Sequence, residues 1–256
     1  MEKTILIAGK DLPDIMDFSD GALMTGRNVV TTSSTAVHSK QAADGGAVTA
    51  SWNKTSPVSA RTLVLECENY FRRLDEAVFV FDEAYFAEKF DGMSHENCSR
   101  GTDEMILSYQ YLAQEVLNRF EKRFSINHAS DEALKPAKIV FLLKTSPSEF
   151  DIFKNNSLRN SVPFAAGPFV SAAASSFEGF AENIAAMFSG RDYINVVLAK
   201  ADVSTELGKN DKALASWLCG YLDEVDNLKT KLTAKQSTVW VKAGAKGPGG
   251  GFGFLK

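Results

Sequence analysis

Short, predominantly apolar runs alternate with amphipathic or polar stretches along this chain. Four of these runs lie at 4–9, 74–81, 138–143 and 193–198. A strand that is covered on both faces has this composition, because a parallel sheet with helices on both sides buries both of its faces. The alternation therefore predicts an α/β fold, in which a doubly wound, Rossmann-like parallel sheet is flanked by helices.

The other segments fit a single unit. Ser56 and Pro57 have the character of an N-cap and a first helical residue. Further elements are predicted as a strand at 47–52, helices at 102–124, 168–188 and 217–231, and a last strand at 237–241. We expect one domain over residues 1–243, followed by a glycine-rich tail over residues 244–256.

Composition excludes several function classes. The 256-residue chain is 45% hydrophobic and carries a formal net charge of −4, which gives no basic footprint for nucleic acid or an anionic membrane. No apolar run approaches the roughly 20 residues that cross a bilayer. The first apolar run is also too short for the core of a signal peptide. The expectation is a cytoplasmic protein with no nucleic-acid or membrane partner.

The turn after the first predicted strand has the outline of a dinucleotide-binding βαβ unit without its chemistry. In a G-x-x-x-G-x-G turn, glycines let backbone N–H groups approach a pyrophosphate. Only the first glycine, Gly9, is present, and Pro13 and Ile15 stand at the other two positions. Asp11 and Asp14 add negative charge where a helix N-terminus would favour phosphate. We therefore expect no bound cofactor.

The order, spacing and length of the segments resemble the short-chain dehydrogenase/reductase family over essentially the whole chain. Residues 74–78 resemble the family's fourth strand, 177–185 its sixth major helix, and 194–197 the V-N-x-I strand that follows. The resemblance implies a Rossmann-like oxidoreductase scaffold that uses a nicotinamide cofactor.

The family's functional motifs are missing at the matching positions. The Asn-Asn-Ala-Gly stretch that lines the cofactor site becomes 79–82, which ends at Asp82. The Asn of the proton relay matches Met105 or Ser108, and the catalytic Ser matches the neighbourhood of Leu143 and Lys144.

The Tyr-x-x-x-Lys pair of the family is also lost. Its two positions are Val170 and Ala174, and neither side chain can donate a proton or bind a ribose. Together with Gly9, Pro13, Ile15, Asp82, Met105 and Lys144, these two positions are interpreted as vestiges of a site.

Two functions from different classes follow from this pattern. The first is a catalytically inactive protein that acts as a binding, regulatory or structural subunit without NAD(P) chemistry. The second is an oxidoreductase of the same family with a rebuilt site that uses Lys144, Ser146 or Tyr193. A cleft that senses a ligand without transforming it is a third interpretation.

Small residues on the predicted helix 168–188 indicate a surface for self-association. Ala172, Ser176 and Phe180 stand four residues apart and share one helical face. Small side chains let a second helix approach closely, and in the family this helix contributes to a dimer interface. We expect a homodimer or homotetramer with these residues near the contact. A different protein is the other class of partner. Alternatively, the small residues pack against the sheet.

The remaining candidates have structural interpretations. The histidines at 38, 95 and 128 and the cysteines at 67, 98 and 219 lack the spacing of a metal site or a disulfide framework. An aromatic cluster follows the fourth predicted strand at Phe79, Phe81, Tyr85, Phe86 and Phe90. It could belong to the core, fill the vacated cofactor cleft or line an apolar pocket.

Overall fold

A computed structural model describes residues 2–35, 47–90, 92–127, 135–160, 164–228 and 232–248. The strands are β1 Thr4–Ala8, β2 Asn28–Ser33, β3 Ala47–Ser51, β4 Glu76–Asp82, β5 Ala137–Thr145, β6 Ile194–Asp202 and β7 Val241–Lys242. They form a seven-stranded sheet in the order β3-β2-β1-β4-β5-β6-β7, and every pairing is parallel. The predicted fold class is confirmed.

Helices cover both faces of this sheet. They are α1 Met16–Leu23, α2 Pro57–Phe71, α3 Glu83–Lys89, α4 His95–Thr102, α5 Ser108–Asn127, α6 Glu149–Lys154, α7 Pro168–Phe188, α8 Glu206–Lys209, α9 Asp211–Asp226 and α10 Ala234–Ser237. A π-helical turn, Asp103–Leu107, joins α4 to α5, and a 3₁₀ turn, Asn156–Asn160, follows α6.

The alternation of side chains along the strands builds two cores. Leu6 and Ala8 of β1 pack on the face covered by α2, α5 and α7, whereas Ile5 and Ile7 pack on the face covered by α1 and α9. Successive side chains of a strand point to opposite faces, so a continuously apolar strand serves both cores at once. None of the described helices combines the length and apolar composition that a membrane-spanning helix needs.

Most predicted elements lie close to their observed bounds, and two differ. The helix 168–188 coincides with α7, and Ser56 caps α2 by accepting a hydrogen bond from the Ser59 N–H. The last predicted strand, 237–241, is instead the end of α10 and a turn, with only Val241 and Lys242 paired to β6. The helix predicted at 217–231 is α9, which begins earlier, at Asp211, and ends at Asp226. Residues 229–231 and 249–256 lie outside the described parts.

The sheet order places the carboxyl ends of β1 and β4 side by side. The chain runs outward from β1 to β2 and β3, and then returns to the other side of β1 as β4. In open α/β sheets this point of reversal opens a crevice at the carboxyl edge, where ligands bind. The residues that follow β1, β4 and β5 are therefore the ones to inspect.

Candidate functional site: a charged carboxyl edge

Two lysines and two aspartates meet at the carboxyl edge. Lys10 follows β1, Asp82 ends β4, Lys144 lies near the end of β5 and Asp211 begins α9. Lys144 Nζ lies 2.9 Å from Asp82 Oδ2 and 2.6 Å from Asp211 Oδ1. Lys10 Nζ lies 3.3 Å from Asp82 Oδ2 and also contacts Asp211 Oδ2. These four residues alternate in sign around a closed loop, here called the charge ring.

The charge ring is largely buried, and its members stabilise one another's charged forms. Lys10, Asp82 and Lys144 are buried, with 6%, 3% and 6% of their surface exposed. Burial alone would raise the pKa of Asp82, but Lys144 and Lys10 outweigh it and hold that pKa below its usual value. Burial alone would lower the pKa of Lys144, but Asp82 and Asp211 hold it above its usual value. The ion pairs therefore keep both Asp82 and Lys144 in their charged forms.

A second charged group lies beside the ring, around Asp11. Lys54 Nζ donates to Asp11 Oδ2 at 3.1 Å and to the Gly9 carbonyl at 3.0 Å. Lys89 Nζ lies 3.4 Å from the same Asp11 oxygen and also contacts the Tyr85 hydroxyl. Burial opposes ionisation of Asp11, but Lys54 and Lys89 outweigh it and lower the pKa. Asp11 is therefore not the unpaired, phosphate-repelling charge that the sequence suggests.

Gly9 is needed for packing. Its φ is +139°, and a Cβ at this position would lie 2.0 Å from the Val80 carbonyl oxygen of β4. The same oxygen accepts a hydrogen bond of 2.7 Å from the hydroxyl of Tyr109, which is fully buried on α5. Close approach of β1 to β4 thus explains this glycine without any phosphate.

The other two positions of the glycine turn have taken structural roles. Ile15 is fully buried in the core under α1 and forms the cap of that helix. Pro13 is exposed, and its carbonyl accepts the Met16 N–H at 3.0 Å. Asp14 is exposed at the rim of a cleft described below.

The positions matched to the Tyr-x-x-x-Lys pair are buried core positions. Val170 and Ala174 are 1% and 5% exposed and pack in the core under α2, α5 and α7. Met105, in the π-helical turn, is fully buried in the same core. Gly9, Asp82 and Lys144 lie at or just after the carboxyl ends of β1, β4 and β5, whereas Val170, Ala174 and Met105 contribute apolar side chains to the core.

Of the residues in the rebuilt-site hypothesis, Tyr193 lies far from Lys144. Tyr193 precedes β6 at the amino end of the sheet and packs on Phe124 and Phe188. In the register of β5 and β6, Ala137 lies opposite Ile194 and Lys144 opposite Ala201. With a rise of about 3.3 Å per residue, more than 20 Å separates Tyr193 from Lys144 along the strands, which is too far for one reaction centre.

Ser146 contacts a carboxyl group. Its N–H donates to Glu83 Oε2 at 2.6 Å, whereas its own hydroxyl is buried without a hydrogen-bond partner among the described residues. Burial raises the pKa of Glu83 to about 7, and the nearby Asp82, Asp151 and Glu178 contribute in the same direction. The protonation of Glu83 therefore changes near neutral pH.

Two clefts open on the charged edge. The ring cleft, of about 430 Å³, is lined by Lys10, Asp82 and Lys144 of the charge ring and by Tyr85 and Phe164. The lysine cleft, of about 390 Å³, is lined by the cations Lys54, Lys89 and Arg100 and the carboxylates Asp11 and Glu104. Ser34, Asn53 and Thr55 complete the lysine cleft with hydroxyl and amide groups.

The aromatic residues after β4 belong mainly to the core. Phe79, Phe81, Phe86 and Phe90 are 3% exposed or less. Phe81 packs on Phe86 and Tyr109 with ring centroids 4.9 and 5.9 Å apart. Tyr85 differs, because its hydroxyl reaches the carboxyl edge and accepts the Asp11 N–H at 3.0 Å.

Tyr85 and Lys89 repeat a Tyr-x-x-x-Lys spacing on α3, which our reading of the sequence missed. Residues four apart on a helix are neighbours, so the spacing itself is a readable signal. Lys10, Asp82 and Lys144 were readable too, as charged residues at the ends of apolar strands. Burial raises the pKa of Tyr85, and its hydroxyl donates to Asp11 Oδ2 at 3.3 Å, so the phenol stays protonated.

A second ionic cluster lies at the opposite, amino edge and is the only set of acidic residues in the described ranges that converges like metal ligands. Its carboxylates are Glu76, Asp223 and Asp226. The cations Lys3, Arg27 and Lys138 contact them, at 2.6 Å for Arg27 Nε to Glu76 Oε2 and 2.7 Å for Lys138 Nζ to Asp226 Oδ1. We call these six residues the basal network. Side-chain cations therefore already neutralise these carboxylates.

Comparison with known proteins establishes the fold. A short-chain dehydrogenase from Mycobacterium smegmatis is 14% identical, with 96% of this chain and 92% of that chain covered at a TM-score of 0.61. An NADH-dependent reductase responsible for alginate metabolism is 12% identical, with 95% and 96% covered at a TM-score of 0.60. A short-chain dehydrogenase/reductase from Serratia marcescens is 13% identical, with 94% and 96% covered at 0.54.

These likenesses extend over almost the whole chain at very low identity. No family model matches the sequence, and no curated protein matches it. The chain therefore has the fold of short-chain dehydrogenases/reductases, and the fold by itself does not assign an activity.

Proposed function

We propose that this chain is a diverged member of the short-chain dehydrogenase/reductase family that has lost NAD(P) binding and catalysis. It acts as a binding, regulatory or structural subunit, with residues 1–243 as one domain and residues 244–256 as a glycine-rich tail. The charge ring carries this proposal, because its paired side chains occupy the crevice in which this class of fold holds a dinucleotide.

A pyrophosphate in this crevice needs converging N–H groups or cations and no uncompensated carboxylate nearby. Here Lys10 and Lys144 are already committed to Asp82 and Asp211. Drawing the lysines towards a phosphate would leave buried carboxylates unpaired, which costs several kcal/mol. The apolar Val170 and Ala174 support the proposal, since neither can bind a ribose or move a proton.

Thermal unfolding in the presence of NAD⁺, NADH, NADP⁺ and NADPH tests the proposal. A ligand at 100 times its Kd adds about 2.7 kcal/mol to stability, which is a clear rise in melting temperature. We expect no rise with any of the four cofactors at millimolar concentration. A reproducible rise at micromolar cofactor would overturn the loss of binding.

The alternative is an oxidoreductase of this family with a rebuilt site. The observation that favours it is the Tyr85–Lys89 pair, which supplies a phenol beside an ammonium group at the carboxyl edge. The contact with Asp11 weakens this alternative, because Asp11 Oδ2 accepts a hydrogen bond from the phenol and so helps to hold the proton that a catalytic phenol would have to deliver. The same cofactor titration separates the two functions, since the alternative requires a bound nicotinamide.

Self-association through α7 belongs to the same proposal. Ala172 is exposed and Ser176 is half-buried, whereas the half-buried Phe180 also packs on Phe141 of the core. We expect a homodimer or homotetramer by light scattering, and we expect Ser176→Arg to dissociate it by placing a charge in a close helix contact. Ser204→Arg, at an exposed position after β6, is the matched control. A monomeric wild type would show that this face of α7 is not an interface.

A further inference from the structure

The lysine cleft holds more positive than negative charge. Among the described residues, Lys54, Lys89 and Arg100 face two carboxylates, Asp11 and Glu104. We propose that this cleft binds a small phosphate-bearing molecule, either a phosphate monoester or inorganic phosphate. This inference deepens the proposed function by naming a ligand class, and it rests on the absence of a dinucleotide from the same edge.

Lys54 is the buried anchor of the site. It is 5% exposed, and its ammonium group donates to the Gly9 carbonyl and to Asp11 Oδ2. An ammonium group has three donors, so within the described part of the chain these two partners leave one donor for a ligand. Burial lowers the pKa of Lys54 and Asp11 offsets this only in part, so a bound anion would stabilise the charged lysine.

One carboxylate oxygen serves two ammonium groups. Asp11 Oδ2 lies 3.1 Å from Lys54 Nζ and 3.4 Å from Lys89 Nζ, and it also accepts a hydrogen bond from the Tyr85 hydroxyl at 3.3 Å. A single negative charge shared between two cations leaves positive charge uncompensated. The field in the cleft therefore favours an anion over a neutral or cationic ligand.

Arg100 is held in place at the mouth of the cleft. Its guanidinium donates to the Lys89 carbonyl at 3.2 Å, and its charge lies 4.8 Å from the centre of the Phe90 ring. Arg100 Nε lies 3.5 Å from Glu104, which projects from the π-helical turn. Single π turns inside helices occur frequently at functional sites. A planar guanidinium fixed in this way suits the paired oxygens of a phosphate.

The size and the remaining lining restrict the ligand further. A cleft of about 390 Å³ is near the lower end of small-molecule sites, which span about 300–1,000 Å³. Ser34, Asn53 and Thr55 offer hydroxyl and amide groups beside the cations. Such groups match the hydroxyls of a short phosphorylated polyol, and glycerol 3-phosphate is a suitable probe.

Isothermal titration calorimetry at low ionic strength tests the site with glycerol 3-phosphate, inorganic phosphate, glycerol and NADPH. We expect saturable binding of at least one phosphate compound and none of glycerol. Tighter binding of glycerol 3-phosphate identifies an ester as the ligand, and tighter binding of inorganic phosphate identifies the free ion. Both results support the site.

Variants locate the binding. Arg100→Gln changes an exposed side chain and should weaken binding about tenfold, the loss expected for a charge-assisted contact. Lys89→Gln should act in the same direction, whereas Lys209→Gln, which lines the ring cleft, should leave binding unchanged. Equal weakening by Lys209→Gln, or no saturable phosphate binding by a folded wild type, overturns the inference.

NADPH separates this inference from the proposed function. If neither phosphate compounds nor NADPH bind, the inference fails and the proposed function stands. If NADPH binds and Arg100→Gln weakens NADPH and phosphate alike, the cleft is part of a dinucleotide site and both fail. If NADPH binds but phosphate does not, both fail as well, because the inference requires phosphate to bind.

Discussion

At the amino edge of the sheet three carboxylates and three cations form the basal network, and at the carboxyl edge two lysines and two aspartates form the charge ring. Helix α9 joins the two, because Asp211 at its start belongs to the ring and Asp223 and Asp226 near its end belong to the network. With 16 residues the helix spans about 24 Å, the depth of the sheet.

The two edges differ in their surroundings. In the basal network, Glu76 is fully buried, and Arg27 and Lys138 each have 2% of their side-chain surface exposed. The charge ring instead forms the wall of a cleft of about 430 Å³. Buried lysine, arginine and carboxylate side chains therefore stabilise the fold at the amino edge, whereas similar ion pairs line a crevice at the carboxyl edge. The side chains of the charge ring keep 5–12% of their surface exposed, whereas that of Glu76 keeps none, so losing one partner should cost less at the ring.

The largest expected effect is at the basal network. Arg27→Met removes the cation that contacts Glu76 at 2.6 Å and Asp223 at 2.9 Å, and leaves a fully buried carboxylate with fewer partners. We expect a loss of about 3–5 kcal/mol in the free energy of unfolding, measured by urea denaturation. Lys144→Met at the charge ring should cost less, and Arg27→Lys should recover part of the loss. Equal losses for Arg27→Met and Lys144→Met would contradict the difference between the edges.

Glu83 should give the carboxyl edge a pH dependence of somewhat smaller size. Burial raises its pKa from 4.5 to about 7, so between these values the folded chain keeps a proton that the unfolded chain releases. Stability should therefore be greatest below this window and fall by about 3 kcal/mol as pH rises through it.

Urea denaturation between pH 5 and 7.5 measures this slope. Glu83→Gln cannot titrate and should flatten it, whereas Glu88→Gln, an exposed neighbour on α3, should keep it. The lowered pKa values of Asp11 and Asp82 act in the opposite sense, but only at more acidic pH, where their stabilisation is lost. Parallel curves for wild type and Glu83→Gln would show that this carboxyl does not titrate in the window.

The fold could be predicted from the sequence because strands that are buried on both faces have continuous apolar runs. The apolar runs of β1, β4, β5 and β6 and the Ser56–Pro57 helix start each report their own structure. The short strand β7 was placed too early, because two paired residues leave almost no periodic signal.

The site was only partly readable, because its partners are distant in sequence. Gly9, Asp82 and Lys144 were identified as site positions, but the pairing of Lys10 and Lys144 with Asp211 joins residues 201 and 67 positions apart. Asp11 was read as a repulsive charge, since nothing near it in the sequence indicates Lys54. Composition and spacing do not carry this information, and only the sheet order brings these side chains together.

In our proposal the charge ring stands where a dinucleotide would lie in this fold. A crystal structure of the protein grown with saturating NADPH decides whether it does. We expect no ordered dinucleotide along the carboxyl ends of β1 and β4, with the contacts of Lys10 and Lys144 to Asp82 and Asp211 intact. An NADPH molecule ordered across that edge, with the ring opened to admit it, would overturn the proposal.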